Sequence, residues 1–266
     1  MEENSRLEKG YLKMQEVLGE SENNANNSLN TIFPDLEKYM VEYVWGEIYT
    51  REALDIKFKE IAVIAALTAI GNAQEQLKQH LNGALNVGCT INEIKEILLQ
   101  MSAFAGFPAC INAMNLLRTV LAERMSKGIE DEIGIEPTNE ISPMDRYKVG
   151  SQVMSELDSG QVELLEKTYN DFSTELVNLV VCGQADITAR NNIDKKYREI
   201  ASISAMTALG TAQSQLKTHI NMALNIGVTP EQIKEIMLLM TAFSGFPSAI
   251  NGMNILMAVL EARKQR

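Results

Sequence analysis

GNAQEQLKQHLNGALNVGCTINEIKEILLQMSAFAGFPACINAMN, residues 71–115, decides the fold because it occurs twice. It returns as GTAQSQLKTHINMALNIGVTPEQIKEIMLLMTAFSGFPSAINGMN, residues 210–254. The two stretches lie 139 residues apart. Extended outward over 51–125 and 190–264, the match runs without a gap, and about 42 of the 75 positions are identical. Such a period is too long for a solenoid, so the chain reads as two copies of a whole domain. Upstream the match weakens: FPDLEKYMVEYVWG in copy one only roughly parallels YNDFSTELVNLVVCG in copy two. Between the copies, SKGIEDEIGIEPTNEISP carries Gly128, Gly134, Pro137, Pro143 and several acids, which is linker composition. The organisation expected is a first domain over 1–127, a linker over 128–143 and a second domain over 144–266.

Each copy reads as helices. Ser5 with Glu8 has the spacing of a capping box for a helix to about Val17. Pro34 opens a second helix, to about Trp45. Asp55 and Asp194 are placed as N-caps of an apolar helix that ends near Gly71 and Gly210. The next helix stops at Gly88 or Gly227. Thr90 with Glu93, and Thr229 with Gln232, are capping boxes for a helix that stops at Gly106 and Gly245. Pro108 and Pro247 start the last helix, which ends near Lys127 and Arg266. No stretch alternates with period two over a useful length, so the fold expected is all-α, a tandem duplication with about six helices per copy.

The 266 residues are 45% hydrophobic and 22% charged, a globular composition. The formal charge of −11 and a pI of about 4.8 repel phosphate backbones, so no nucleic-acid partner is expected. The opening MEENSRLEKG has neither the basic nor the apolar segment of a signal peptide. The most apolar run, Ile61–Gly71, is broken by Thr68 and too short to span a bilayer, so no membrane partner is expected. Cys89, Cys110 and Cys182 cannot all pair in one chain and form no CxxC; they read as reduced thiols of a cytoplasmic protein.

The chain has two histidines, His80 and His219, at the same place in the two copies, within QLKxH. Gln76 and Gln215 lie one helical turn before them, on the same face. On the preceding helix, Glu60 and Glu199 sit in apolar runs. Glu60 lies 11 residues before Gly71 and His80 lies 9 after it. In an antiparallel pair, equal rise per residue brings both to nearly the same height. A carboxylate beside an imidazole is an acid–base pair and holds one tautomer, so Glu60 with His80 and Glu199 with His219 are the candidate catalytic groups. The same residues also suit a merely structural, satisfied core histidine. AFxGFP marks a tight helix-to-helix corner whose Phe104, Phe107, Phe243 and Phe246 are expected to wall an apolar pocket beside the histidines. Asn112, Asn115, Asn251 and Asn254 suit a helix or subunit interface. The 14 methionines read as packing. Two distant histidines with no Cys–His cluster give no metal-site signal.

The run K/R-E-I-A, then QLKxHxxxALNxG-x-T-xxxIKEI, then AFxGFPxxxNxM resembles the carboxymuconolactone decarboxylase family, which shares its fold with alkylhydroperoxidase-D-like proteins. The resemblance covers 33–125 and 169–264. It implies an all-α domain and oligomers, so a chain with two copies resembles a fused dimer, and a trimer of such chains is expected. The family's peroxidase-type members use a CxxC pair before the histidine. Here those positions hold Ala73 and Gln76, and Ala212 and Gln215, or, counted from the glycine, Asn72 and Glu75, and Thr211 and Ser214. None is a thiol, so no nucleophile for a hydroperoxide is present. Decarboxylase-type members carry ExxxH where this chain has QxxxH. The reading favoured is a cofactor-free lyase or isomerase for a small carboxylate or lactone. Histidine would shuttle a proton, glutamate would tune it, and Gln76 or Gln215 would hold a carbonyl or carboxylate. A redox protein using single thiols and a non-catalytic binding or scaffold protein are the alternatives.

Overall fold

The computed structural model describes residues 5–19 and 31–265. Among these residues the regular structure is helical, with no strand. Copy one contains α1 (Arg6–Leu18), α2 (Pro34–Met40), α3 (Ile56–Ile70), α4 (Gln74–Asn86) and α5 (Ile91–Ser126). Copy two contains α6 (Arg146–Leu157), α7 (Gln161–Tyr169), α8 (Thr174–Gly183), α9 (Lys195–Leu209), α10 (Gln213–Asn225), α11 (Pro230–Phe243) and α12 (Phe246–Lys264). The helix expected to end near Trp45 instead widens after α2 into a π-helical stretch, Val41–Ile48. Its counterpart in copy two is shorter, Gln184–Thr188.

The helix ends follow from local chemistry. The Asp55 and Asp194 side chains accept from the amides of Lys57 and Lys196. Gly71 and Gly210 close the same helices in the left-handed conformation, with φ of 74° and 70°. Both threonine capping boxes form, Thr90 with Glu93 and Thr229 with Gln232. The span α5 is two helices joined at a kink: Gly106, at a non-helical φ of 84° and ψ of 163°, ends the first, and the second starts at Pro108, as expected. The last helix of copy two ends at Lys264; Arg266, its expected end, lies outside the described residues.

Helices α3 and α9 pack on each other at the centre of the molecule. Both are buried nearly all round, and their alanines and serines let the backbones approach. The two copies meet about a pseudo-two-fold axis. Phe58 stacks on its own equivalent Tyr197, with ring centroids 4.5 Å apart, so these rings mark the axis. Arg51 of copy one pairs with Glu235 of copy two, and the equivalent Arg190 pairs with Glu96, both at 2.8 Å. Reciprocal pairs of this kind define an isologous interface.

The N-terminal helices also correspond, although their sequences barely match. A Cβ on Gly10 would lie 2.4 Å from the Val41 carbonyl oxygen, and one on Gly150 1.9 Å from that of Val181. Both glycines are required by this close approach. These equivalences run at an offset of 140, as do the ends of the widened helices at Ile48 and Thr188, whereas Arg51 and Arg190 run at 139, so copy one has one more residue in the turn that follows the widened helix.

The expected linker is a docked strap. The amides of Ile91 and Asn92 donate to the carbonyls of Glu132 and Ile133, both at 2.9 Å. Arg124 pairs with Asp131 at 2.7 Å, and Asn139 donates to the Ala189 carbonyl at 2.6 Å. The apolar stripe of the last helices is split. Leu117 and Leu256 are core, whereas Phe107, Ile111, Phe246 and Ile250 are exposed.

Candidate active site

In each copy the left-handed glycine turn returns the second helix alongside the first, and the carboxylate meets the imidazole. Nδ1 of His80 lies 3.0 Å from Glu60 Oε2, and Nδ1 of His219 lies 2.8 Å from Glu199 Oε2. Both hydrogen bonds use Nδ1, so in both copies Nδ1 carries the shared proton and Nε2 is left for other work.

Around this common element the copies differ. In copy one, the Tyr49 hydroxyl donates to Glu60 Oε1 at 2.7 Å, and Trp45 lies parallel to the imidazole with centroids 6.0 Å apart. Phe243 meets the imidazole edge-on at 5.0 Å. Glu60 is 0% and His80 4% exposed. Burial and the neighbouring Glu60 charge push the Tyr49 phenol well above its usual value, so it remains a donor. The pair is buried among these aromatic rings.

In copy two no tyrosine or tryptophan among the described residues touches the pair. The shorter widened turn places Gln184, Ile187 and Thr188 at the wall instead. A cavity of about 380 Å³ opens beside Glu199, His219 and Gln215, and Phe104 meets the His219 ring edge-on at 5.5 Å. The His219 side chain is 19% exposed.

Charge differs as well. Arg198 borders the copy-two cavity and is held by Glu96 at 3.0 Å, by the Arg190 carbonyl at 3.2 Å and by Gln100. Burial pushes the Glu96 carboxyl up, but hydrogen bonds from Arg190, Arg198 and Asn192 outweigh it and hold the group below the usual range. Arg190 and Arg198 share Glu96, and the Glu199 carboxylate lines the same cavity as Arg198, so this corner is a mixed-charge network whose cation at the cavity wall is Arg198. In copy one the equivalent of Arg198 is Lys59, which donates instead to the carbonyls of Tyr49 and Arg51. Burial pushes its ammonium down to about 8.

The expected pocket phenylalanines need correction. Phe104 and Phe243 do reach a histidine, but that of the other copy, because the axis crosses the two corners. Phe107 and Phe246 stand exposed at the surface; Phe246 packs near Tyr43 in a separate cleft. Gln76 and Gln215 are both exposed, and Gln215 also lines the cavity. Trp45, Tyr49, Gln184 and Thr188 were not among the expected site residues. The signal was there: aromatic residues in copy one have no aromatic counterpart in copy two, in the segment where the repeat register slips. The two buried thiols, Cys89 and Cys110, are poor nucleophiles. Burial pushes Cys89 up to about 12 and raises Cys110.

The sequence profile of the carboxymuconolactone decarboxylase family matches residues 34–119 and again 178–258. A 4-carboxymuconolactone decarboxylase of Acinetobacter baylyi is 32% identical over 124 residues, 46% of this chain and 92% of that protein. A nitrosuccinic acid decarboxylase of Metarhizium robertsii is 31% identical over 125 residues, 46% of this chain and 85% of that protein. Each relative thus spans about one copy. With both copies matched and the Glu–His pair present in each, the chain belongs to the carboxymuconolactone decarboxylase family, as a tandem of two family domains.

Proposed function

We propose that the chain is a decarboxylase-like carbon–carbon lyase acting on a small acid, with its working site at Glu199 and His219 of copy two. The observation that carries this reading is the open cavity on that pair, set against the sealed pair of copy one. Both relatives named above are decarboxylases by name, which favours this reaction class over a peroxidase.

The chemistry needs an acid whose β-position can hold an electron pair. The C–CO2 bond breaks, carbon dioxide leaves, and the pair moves onto the β-carbonyl as an enolate. His219 Nε2 delivers a proton to the former α-carbon and regains it from water. Glu199 accepts the Nδ1 proton and stabilises the imidazolium from which that proton comes. The Gln215 amide, at the cavity wall, is the donor available to the developing oxyanion. Arg198, at the cavity wall, is the cation available to the substrate carboxylate. Copy one contributes Phe104 to this site and a rigid partner for α9. The exposed Phe107, Ile111, Phe246 and Ile250 suit an interface between chains in a trimer, which light scattering checks.

Carbon dioxide release from a panel of small 3-oxo acids and lactone acids tests the reading. His219→Ala should lower turnover by about 10²–10⁴. His80→Ala should leave the folded fraction active. Equal losses in both variants would refute the assignment to copy two.

A further inference from the structure

A second cavity, of about 300 Å³, lies on the other side of His219. It shares four residues with the first: Val180, Gln184, Gln215 and His219. The imidazole therefore stands at the junction of two chambers that differ in charge. The first holds Glu199, Arg198 and Gln100. The second combines apolar side chains, Met154, Leu157, Leu164, Leu165, Tyr169 and Met222 among them, with neutral polar ones such as Gln161, Thr168 and Thr218, and apart from His219 none of its lining residues is ionisable near neutral pH. Helix α7 forms one wall and buries no residue of its own; Leu164 is 56% exposed and Tyr169 40%. Val162 and Leu165 pack α7 onto Met154, Val177 and Val181, and the exposed part of its apolar side, at Leu164 and Tyr169, is surface that an apolar ligand would cover.

We infer that the substrate is a monocarboxylic acid with an apolar tail, its carboxyl end in the chamber of Arg198 and Glu199 and its tail in the chamber under α7. The inference rests on the assignment of the working site to copy two. It disfavours compact di- and tricarboxylic acids, because the tail chamber holds no cation to meet a second carboxylate. The reacting carbon lies at the junction, within reach of His219. The tail also serves the reaction: its burial holds the acid in place and keeps water from the leaving carboxylate.

Calorimetric titration of the full chain with butyrate, hexanoate, octanoate and suberate tests this without turnover. Each methylene should tighten binding by up to about fourfold, so octanoate should bind at least about tenfold more tightly than butyrate. Suberate, as long as octanoate but charged at both ends, should bind at least about tenfold more weakly than octanoate. Leu164→Asp, at an exposed wall position, and Thr168→Trp, which fills the chamber, should each collapse the advantage of octanoate over butyrate. Equal affinity across the series, suberate matching octanoate, no detectable octanoate binding, or indifference to both variants would overturn the inference. Should His219→Ala leave decarboxylation untouched while the chain-length trend persists, the catalytic reading falls and the tail chamber stands. Should turnover depend on His219 with no chain-length trend, the reverse holds.

Discussion

Glu60–His80 and Glu199–His219 are the same hydrogen bond built twice, on the same helices and behind the same glycine turn. One is covered by Trp45, Tyr49 and Phe243; the other faces a cavity beside Phe104. The difference teaches that a motif and its geometry are not yet a site. What separates the copies is a few side chains in the widened helix upstream and in the turn after it, where copy one has one residue more. A duplicated domain needs both halves to form its isologous interface, but chemistry needs only one open chamber. Copy one can therefore fill its chamber with aromatic rings and gain packing there.

The comparison is most exposed to substitutions of the two carboxylates. Glu199→Gln should lower kcat by about 10²–10⁴ with little change in KM, because it removes the anion that stabilises the imidazolium and leaves the cavity intact. Glu60→Gln, in the other copy, should hold turnover within about twofold. Steady-state kinetics on both variants checks this, and matched losses would break the asymmetry.

Packing comes next. Trp45→Ala should cost about 3–5 kcal/mol of stability by emptying the copy-one chamber, and Tyr49→Phe about 1–3 kcal/mol by leaving Glu60 Oε1 without its donor. Gln184→Ala, at the cavity wall of copy two, should stay within about 0.5 kcal/mol. Urea denaturation ranks the three, and a Gln184 effect as large as that of Trp45 would contradict the open reading of copy two.

The reciprocal ion pairs sharpen the comparison further. Glu235 takes its three carboxylate hydrogen bonds from Arg51, which is half-exposed, whereas Glu96 draws on Arg190, Arg198 and Asn192. Arg51→Ala should therefore cost about 1–2 kcal/mol and Arg190→Ala less than about 1 kcal/mol. The reverse order in denaturation midpoints would show that the network around Glu96 gives it no reserve.

The smallest effect expected is in the pH dependence of stability. Below pH 8 the Lys59 ammonium is charged in both the folded and the unfolded chain. Between about 8 and the unfolded value of 10.5, the folded chain releases a proton that the unfolded chain retains, so stability rises with pH. From pH 8 to 9 the gain is about 1 kcal/mol or less, and Lys59→Met should lack it. Arg198, at the equivalent position, stays protonated and gives no such slope. A wild-type curve with the same slope as Lys59→Met would place the titration elsewhere.

Much of the fold was legible because it depends on local chemistry. Asp55 and Asp194 cap, Gly71 and Gly210 stop, and Thr90 and Thr229 begin helices for reasons confined to a few neighbouring residues. The meeting of Glu60 with His80 followed from counting residues on either side of a tight turn. The swap of Phe104 and Phe243 between copies was not legible, because the pseudo-two-fold sets it and no local pattern encodes an axis. The sealing of copy one was half-legible. Trp45 and Tyr49 could be seen to lack aromatic counterparts, but where their rings turn depends on the π-helical stretch, which propensity does not foretell. Helix α7 lies in the segment where the repeats diverge, so the tail chamber had no sequence signature.

Two histidines in 266 residues make one measurement decisive. Carbethoxylation of the folded protein with diethylpyrocarbonate, followed by peptide mass mapping, reads each imidazole separately. The account predicts that His219 is modified, that octanoate slows its modification, and that turnover falls in step, while His80 reacts only after unfolding. Modification of His80 at the same rate as His219 in the folded protein, or loss of turnover that follows His80, would contradict it.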